Sequence, residues 1–186
     1  MESDIRYMKE ALTEAGYAAS EDEVPIGAVM VCKGRVIARG HNMTEMLHDP
    51  TAHAEMITIT AATEALGGKY LNDCTLYVTV EPCPMCAAAL SWAQLGRLVY
   101  GAPDPKRGYS LFTPSLLHPK TAVTSGILQP LSLSVGARQK LNLKGTVLPL
   151  SPAAAAPAPV AEDGDGTAFG TKGRANESHA QQSASP

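Results

Sequence analysis

Two short stretches carry residue types that do chemistry together: His53-Ala54-Glu55 and Pro82-Cys83-Pro84-Met85-Cys86. One imidazole and two thiolates are zinc ligands, and three protein ligands leave the fourth tetrahedral position to water. That is the catalytic rather than the structural arrangement. Zinc brings the pKa of a bound water near neutrality, and a carboxylate within reach carries its proton. Glu55, two residues beyond His53, can do this without binding the metal. Alone, Cys-x-x-Cys also suits a structural zinc half-site or a redox pair. A structural site needs a second pair, and Cys32 and Cys74 stand isolated inside apolar strands, where they read as core residues. A redox pair leaves His53 and Glu55 without a role. The combination therefore reads as one catalytic Zn2+ per subunit.

Both motifs must be held by elements that aim them inward. Ile5, Met8, Leu12 and Ala15 recur at helical spacing and predict a helix over about residues 3–19, with Ser3 as N-cap. Residues 26–32 and 35–40 read as a hairpin joined by Lys33-Gly34. A second helix is expected over Thr51–Ala65, ended by Gly67-Gly68, and a third over Pro84–Leu95. Residues 75–80, 98–100 and 122–124 read as strands. Both motifs thus open helices, whose N-terminal partial charge favours thiolates. Trp92 and Met56 are expected to pack within the fold, and Tyr109 has no assigned role. Strand alternating with helix predicts an α/β layered domain with some parallel pairing.

Composition bounds the rest. The 186 residues carry 18 acidic and 15 basic side chains, a formal charge of −3, which argues against bulk coating of nucleic acid but allows a local basic rim. No apolar run is long enough to span a bilayer, and the Met-Glu-Ser-Asp start does not resemble a secretory signal, so a cytoplasmic protein is expected. Residues 151–186 are mostly Ala, Gly, Pro and Ser and read as a disordered tail. Residues 129–150 alternate Leu and Val loosely and read as an atypical segment, a weak hairpin or unfolded chain. The domain itself is placed at residues 1–128.

His53-x-Glu55 with Pro82-Cys83-x-x-Cys86 is the signature of the zinc nucleobase and nucleoside deaminases. Val24-Pro25-Ile26-Gly27-Ala28-Val29, His41-Asn42, Asp49-Pro50-Thr51-Ala52, Thr75 through Cys83, Gly96 through Ala102 and Leu117-His118-Pro119 extend the likeness. Over about residues 3–128 the chain resembles the bacterial tRNA-specific adenosine deaminases. The resemblance implies a three-layer α/β/α cytidine-deaminase-like fold with a mixed five-stranded sheet, and a homodimer. It implies hydrolysis of the wobble adenosine of the arginine tRNA anticodon to inosine, zinc-bound hydroxide attacking C6 and Glu55 shuttling the proton. His53, Cys83 and Cys86 then bind zinc. Asn42 and the Ala54 backbone hold the nucleoside, and Asp104 meets the sugar or a flanking nucleotide. Lys106, Arg107, His118 and Lys120 form the rim for RNA phosphates.

The likeness stops at Gly126-Ile127-Leu128. The amphipathic terminal helix of such enzymes is apparently missing, because Pro130, Gly136, Gly145 and Pro149 interrupt the residues beyond Leu128. Two other functions fit the residues. Guanine and cytosine deaminases share the zinc signature, and Pro84 is common among the guanine enzymes. An RNA-binding product without activity is the second alternative.

Overall fold

In the computed structural model, the described residues are 2–132. Helix α1 (Glu2–Ser20) is followed by strands β1 (Gly27–Cys32) and β2 (Arg35–His41), helix α2 (Ala54–Leu66) and strand β3 (Cys74–Val80). Helix α3 (Pro84–Trp92), strand β4 (Arg97–Ala102), a 3-10 turn (Tyr109–Leu111) and strand β5 (Ala122–Ser125) complete the domain. The strands form one mixed sheet in the order β2-β1-β3-β4-β5. β1 pairs antiparallel with β2 and β3, and β3, β4 and β5 run parallel. This is the expected mixed five-stranded sheet.

Alternation along the strands makes the three layers. Tyr7, Met8 and Ala11 of α1 pack on Val29, Val31, Tyr77 and Val99. Ala28, Met30, Leu76, Val78 and Leu98 point the other way, into one core with Ala54, Ala62, Ala87 and Leu90 of α2 and α3. Leu76, Leu90 and Leu98 are fully buried, each removal from water contributing about 2 kcal/mol. α1 lies so close to β1 that a Cβ at Gly27 would overlap the Ala11 carbonyl and the Ala15 amide. Lys33 and Gly34 both take positive φ (49° and 75°), the conformation of a two-residue hairpin turn.

The element bounds depart from expectation where local hydrogen bonds compete. Ser3 does not cap α1; it lies inside the helix, after Glu2. α2 starts at Ala54 rather than Thr51, because the Asp49 carboxylate accepts the Thr51 N–H (2.8 Å) and hydroxyl (2.7 Å) in a turn of its own. It ends as expected on Gly67 in the left-handed region (φ 61°). α3 stops at Trp92 rather than Leu95, with Gln94 at φ 52°. Trp92 does not pack in the fold; it is 85% exposed. Met56 is half-buried as expected, and Tyr109 is buried edge-on to Tyr100. Cys32 and Cys74 are not isolated: they face each other across β1 and β3, Cys74 buried and Cys32 half-buried.

After β5 the backbone is helical at residues 129–132, where Ser132 is buried. The remainder of the atypical segment, and the whole of the expected tail at 151–186, lie outside the described residues.

Candidate metal centre and active site

The two motifs meet because α2 and α3 begin side by side on one face of the sheet. His53 is the N-cap of α2 and Cys83 the N-cap of α3, both extended (ψ 155° and 169°), and Pro84 occupies the first turn of α3. Neither side chain caps its own helix, so both are available to a ligand. Cys83 Sγ lies 3.6 Å and Cys86 Sγ 3.5 Å from His53 Nδ1. All three donor atoms lie within 4.8 Å of one another, and among the described residues they are the group able to hold a metal. Bond lengths near 2.0 Å to nitrogen and 2.3 Å to sulfur give a tetrahedral N···S edge of about 3.5 Å. The spacing therefore fits zinc.

The hydrogen bond from the Cys86 thiol, against the opposing effect of burial, pulls Cys83 down to about 5. The same bond, with burial, pushes Cys86 well above the ordinary thiol value. Glu55 is 3% exposed, in the first turn of α2. Burial pushes its carboxyl up to about 7; its own backbone N–H and His53 oppose this, and the Cys83 charge adds to it. A carboxyl poised near neutrality both takes and returns a proton.

Two loops tether to the ligand turns. Asn42 follows β2 and is 3% exposed; the next residue, Met43, donates its N–H to the Ala52 carbonyl (3.0 Å), just ahead of His53. Ala54 is fully buried at the start of α2, where first-turn N–H groups have no partner within the helix. On the other side, Tyr109 N–H donates to the Pro82 carbonyl (3.0 Å), beside Cys83. Asp104 in that loop accepts the N–H groups of Lys106 (2.9 Å) and Arg107 (3.1 Å) on Oδ1, so it also builds a turn. Lys106, Arg107 and Lys120 are exposed. His118 is half-buried and its Nδ1 accepts the Lys120 N–H (3.2 Å). A cavity of about 360 Å³ is lined by Tyr109, Leu117, His118, Thr121 and Val123 among others, and by none of the three ligand residues.

Two buried acids escaped the sequence reading. The Glu23 carboxylate is fully buried. It accepts Asn42 Nδ2 (3.0 Å), the Thr44 hydroxyl (3.0 Å) and the N–H groups of Glu45 (2.7 Å) and Met46 (2.9 Å). Burial pushes its pKa up, but these donors outweigh it and hold the group below the ordinary carboxylate value. Since only an amide NH2 can face a carboxylate, Glu23 fixes which way Asn42 points. Glu81 is 5% exposed and holds the 103–110 loop. Glu81, alone between Val80 and Pro82 at the end of an apolar strand, carried a local hint of burial, whereas Glu23 closes a run of three acids, Glu21-Asp22-Glu23, and carried none.

Known proteins carry the same pattern. The family described as the cytidine and deoxycytidylate deaminase zinc-binding region matches residues 1–102. A tRNA-specific adenosine deaminase of Agrobacterium fabrum is 48% identical over 140 residues, covering 73% of this chain and 92% of that protein. The one of Bacillus subtilis is 47% identical over 134 residues, covering 69% and 83%. A solved structure from work on A-to-I editing by tRNA:A34 deaminases at the wobble position superposes with a TM-score of 0.66. It is 48% identical and covers 70% of this chain and 98% of that one. A His-Cys-Cys cluster at two helix starts, a buried acid beside it and these matches along the whole sheet lead to one conclusion: the chain belongs to the cytidine and deoxycytidylate deaminase zinc-binding family, among the tRNA-specific adenosine deaminases.

Proposed function

We propose that this protein hydrolyses the wobble adenosine of an arginine tRNA anticodon to inosine, releasing ammonia. The observation that carries the reading is Glu55, buried in the first turn of the helix that His53 caps, with both thiols near the His53 ring. A zinc ion held by His53, Cys83 and Cys86 supplies Lewis acidity, making a water nucleophilic at neutral pH. The Glu55 carboxylate removes a proton as the water attacks C6 and returns it to the departing amine. Its raised pKa suits both steps.

The remaining residues bind and orient. Asn42, aimed by Glu23, and the Ala54 N–H hold the nucleoside. Asp104 meets the sugar or a flanking nucleotide, and Lys106, Arg107, His118 and Lys120 meet phosphates. Such contacts set affinity and salt dependence rather than base choice. We assign the catalytic domain to residues 1–128, acting as a cytoplasmic homodimer. Among the described residues, no helix is long and apolar enough to cross a membrane.

The test is ammonia release from an arginine anticodon stem-loop, free guanine and free cytosine, offered separately to the zinc-loaded full chain. Release from the stem-loop alone supports the reading. Release from guanine or cytosine, with none from RNA, replaces it with a free-base deaminase.

A further inference from the structure

The loop that follows β4 carries Asp104, Lys106 and Arg107, and one buried side chain fixes both of its ends. Glu81 lies between β3 and the Pro82-Cys83 turn. Its Oε2 accepts the Asp104 N–H (3.0 Å) and its Oε1 the Ser110 N–H (3.0 Å). Gly108 lies flat against the carboxylate, so that a Cβ there would overlap it. The Glu81 N–H donates to the Ala102 carbonyl (2.8 Å), and Gly108 N–H closes the loop on the Asp104 carbonyl (2.9 Å). Charge-assisted bonds from backbone amides are among the stronger hydrogen bonds, and both oxygens of this buried acid are engaged in them.

We propose that Glu81 is a positioning residue that locks the 103–110 loop onto the Cys83 turn, so that Asp104, Lys106 and Arg107 meet the RNA in one placement relative to the metal. The proposal rests on the reading that this loop meets tRNA. A purely space-filling acid would stabilise the fold without linking loop and catalysis. A positioning acid ties the loss of activity to the residues it places. Small misplacements at a substrate contact cost up to about 100-fold in rate.

The experiment uses the zinc-loaded full chain and an arginine anticodon stem-loop. In Glu81→Gln the amide oxygen can accept one loop N–H but presents NH2 to the other. We expect kcat/KM to fall about 10- to 100-fold with one zinc per chain retained. Amide exchange should speed up at Asp104 and Ser110 while β3 and β4 stay protected. Asp104→Ala should cost activity in the wild type but little more in the Glu81→Gln background, because contacting residues do not act additively. Gly108→Ala, which displaces the carboxylate, should reproduce the same pattern, and it carries the test if Glu81→Gln fails to fold. Additive losses, or unchanged exchange of both loop amides, overturn the proposal. Absence of inosine from the zinc-loaded wild type overturns the functional reading instead, and the exchange of the two amides still decides whether Glu81 holds the loop.

Discussion

Burial sets the chemistry of Glu55, and a shared proton sets that of the two thiols. With Cys83 drawn down to about 5 and Cys86 pushed up, the metal-free site enters neutral solution as one thiol beside one thiolate. Zinc needs both as thiolates, so its binding displaces the remaining proton. Zinc uptake by metal-free protein at pH 7 should therefore release at least one proton, that of Cys86 and part of that on Glu55, measured by calorimetry in buffers of different ionisation enthalpy. Affinity should rise with pH and collapse below about 5, where Cys83 also protonates. Zinc uptake without proton release would contradict this state of the thiols. The ligands and Glu55 were legible in the sequence because each motif is short and local. Glu23 and Glu81 were not, because their partners, at residues 42–46 and at 104 and 110, are brought to them only by the fold.

At the scale of elements, α1 is fastened to the sheet by a polar network as well as by Met8 and Ala11. Arg97 of β4 donates to both oxygens of Asp4 (2.8 and 3.1 Å), and the Tyr77 hydroxyl of β3 donates to Oδ1 (2.7 Å). The Arg97 guanidinium, against the opposing effect of burial and with help from Tyr77, holds the Asp4 carboxyl below its ordinary 3.8. A depressed carboxylate pKa contributes stability above the ordinary value and loses it as pH falls through the folded one. Asp4→Asn should lower stability by about 1–3 kcal/mol at pH 7, and its denaturation midpoint should converge on the wild type's below pH 3.8. A constant gap across that range would show that the ion pair is not the cause. Helix and strand identities were legible from periodicity, whereas ends were not. The Asp49 turn delays α2, and Trp92, expected to pack because it lies on a helix, ends α3 on its exposed side.

For the whole molecule, exposure points to surfaces that want cover. Trp92 at 85% exposure is a large apolar group at the end of α3, the kind of feature that marks an interaction site when others adjoin it. Light scattering should give a dimer, and Trp92→Glu should shift it to monomer; an unchanged mass would place the dimer contact elsewhere. β5 is exposed over most of its length, and Val123 is 45% exposed. A chain cut at residue 128 should melt lower than the same domain followed by an amphipathic helix of the family type, the difference being about 1–2 kcal/mol for an aliphatic side chain covered. Equal melting would show that the sheet needs no such helix. Which strand stands at that edge depends on the sheet order, which no local pattern reveals, and the segment expected to lack a covering helix lies mostly outside the described residues.

Inosine formation at the wobble position of an arginine anticodon stem-loop tests the central claim most directly. Full-length wild type and Glu55→Ala would be compared with zinc content measured in both. Inosine from the wild type, at least about 100-fold less from the variant, and one zinc per chain in each is the predicted result. Equal inosine from both would remove Glu55 from the chemistry. None from zinc-loaded wild type would contradict the assignment of this chain to tRNA.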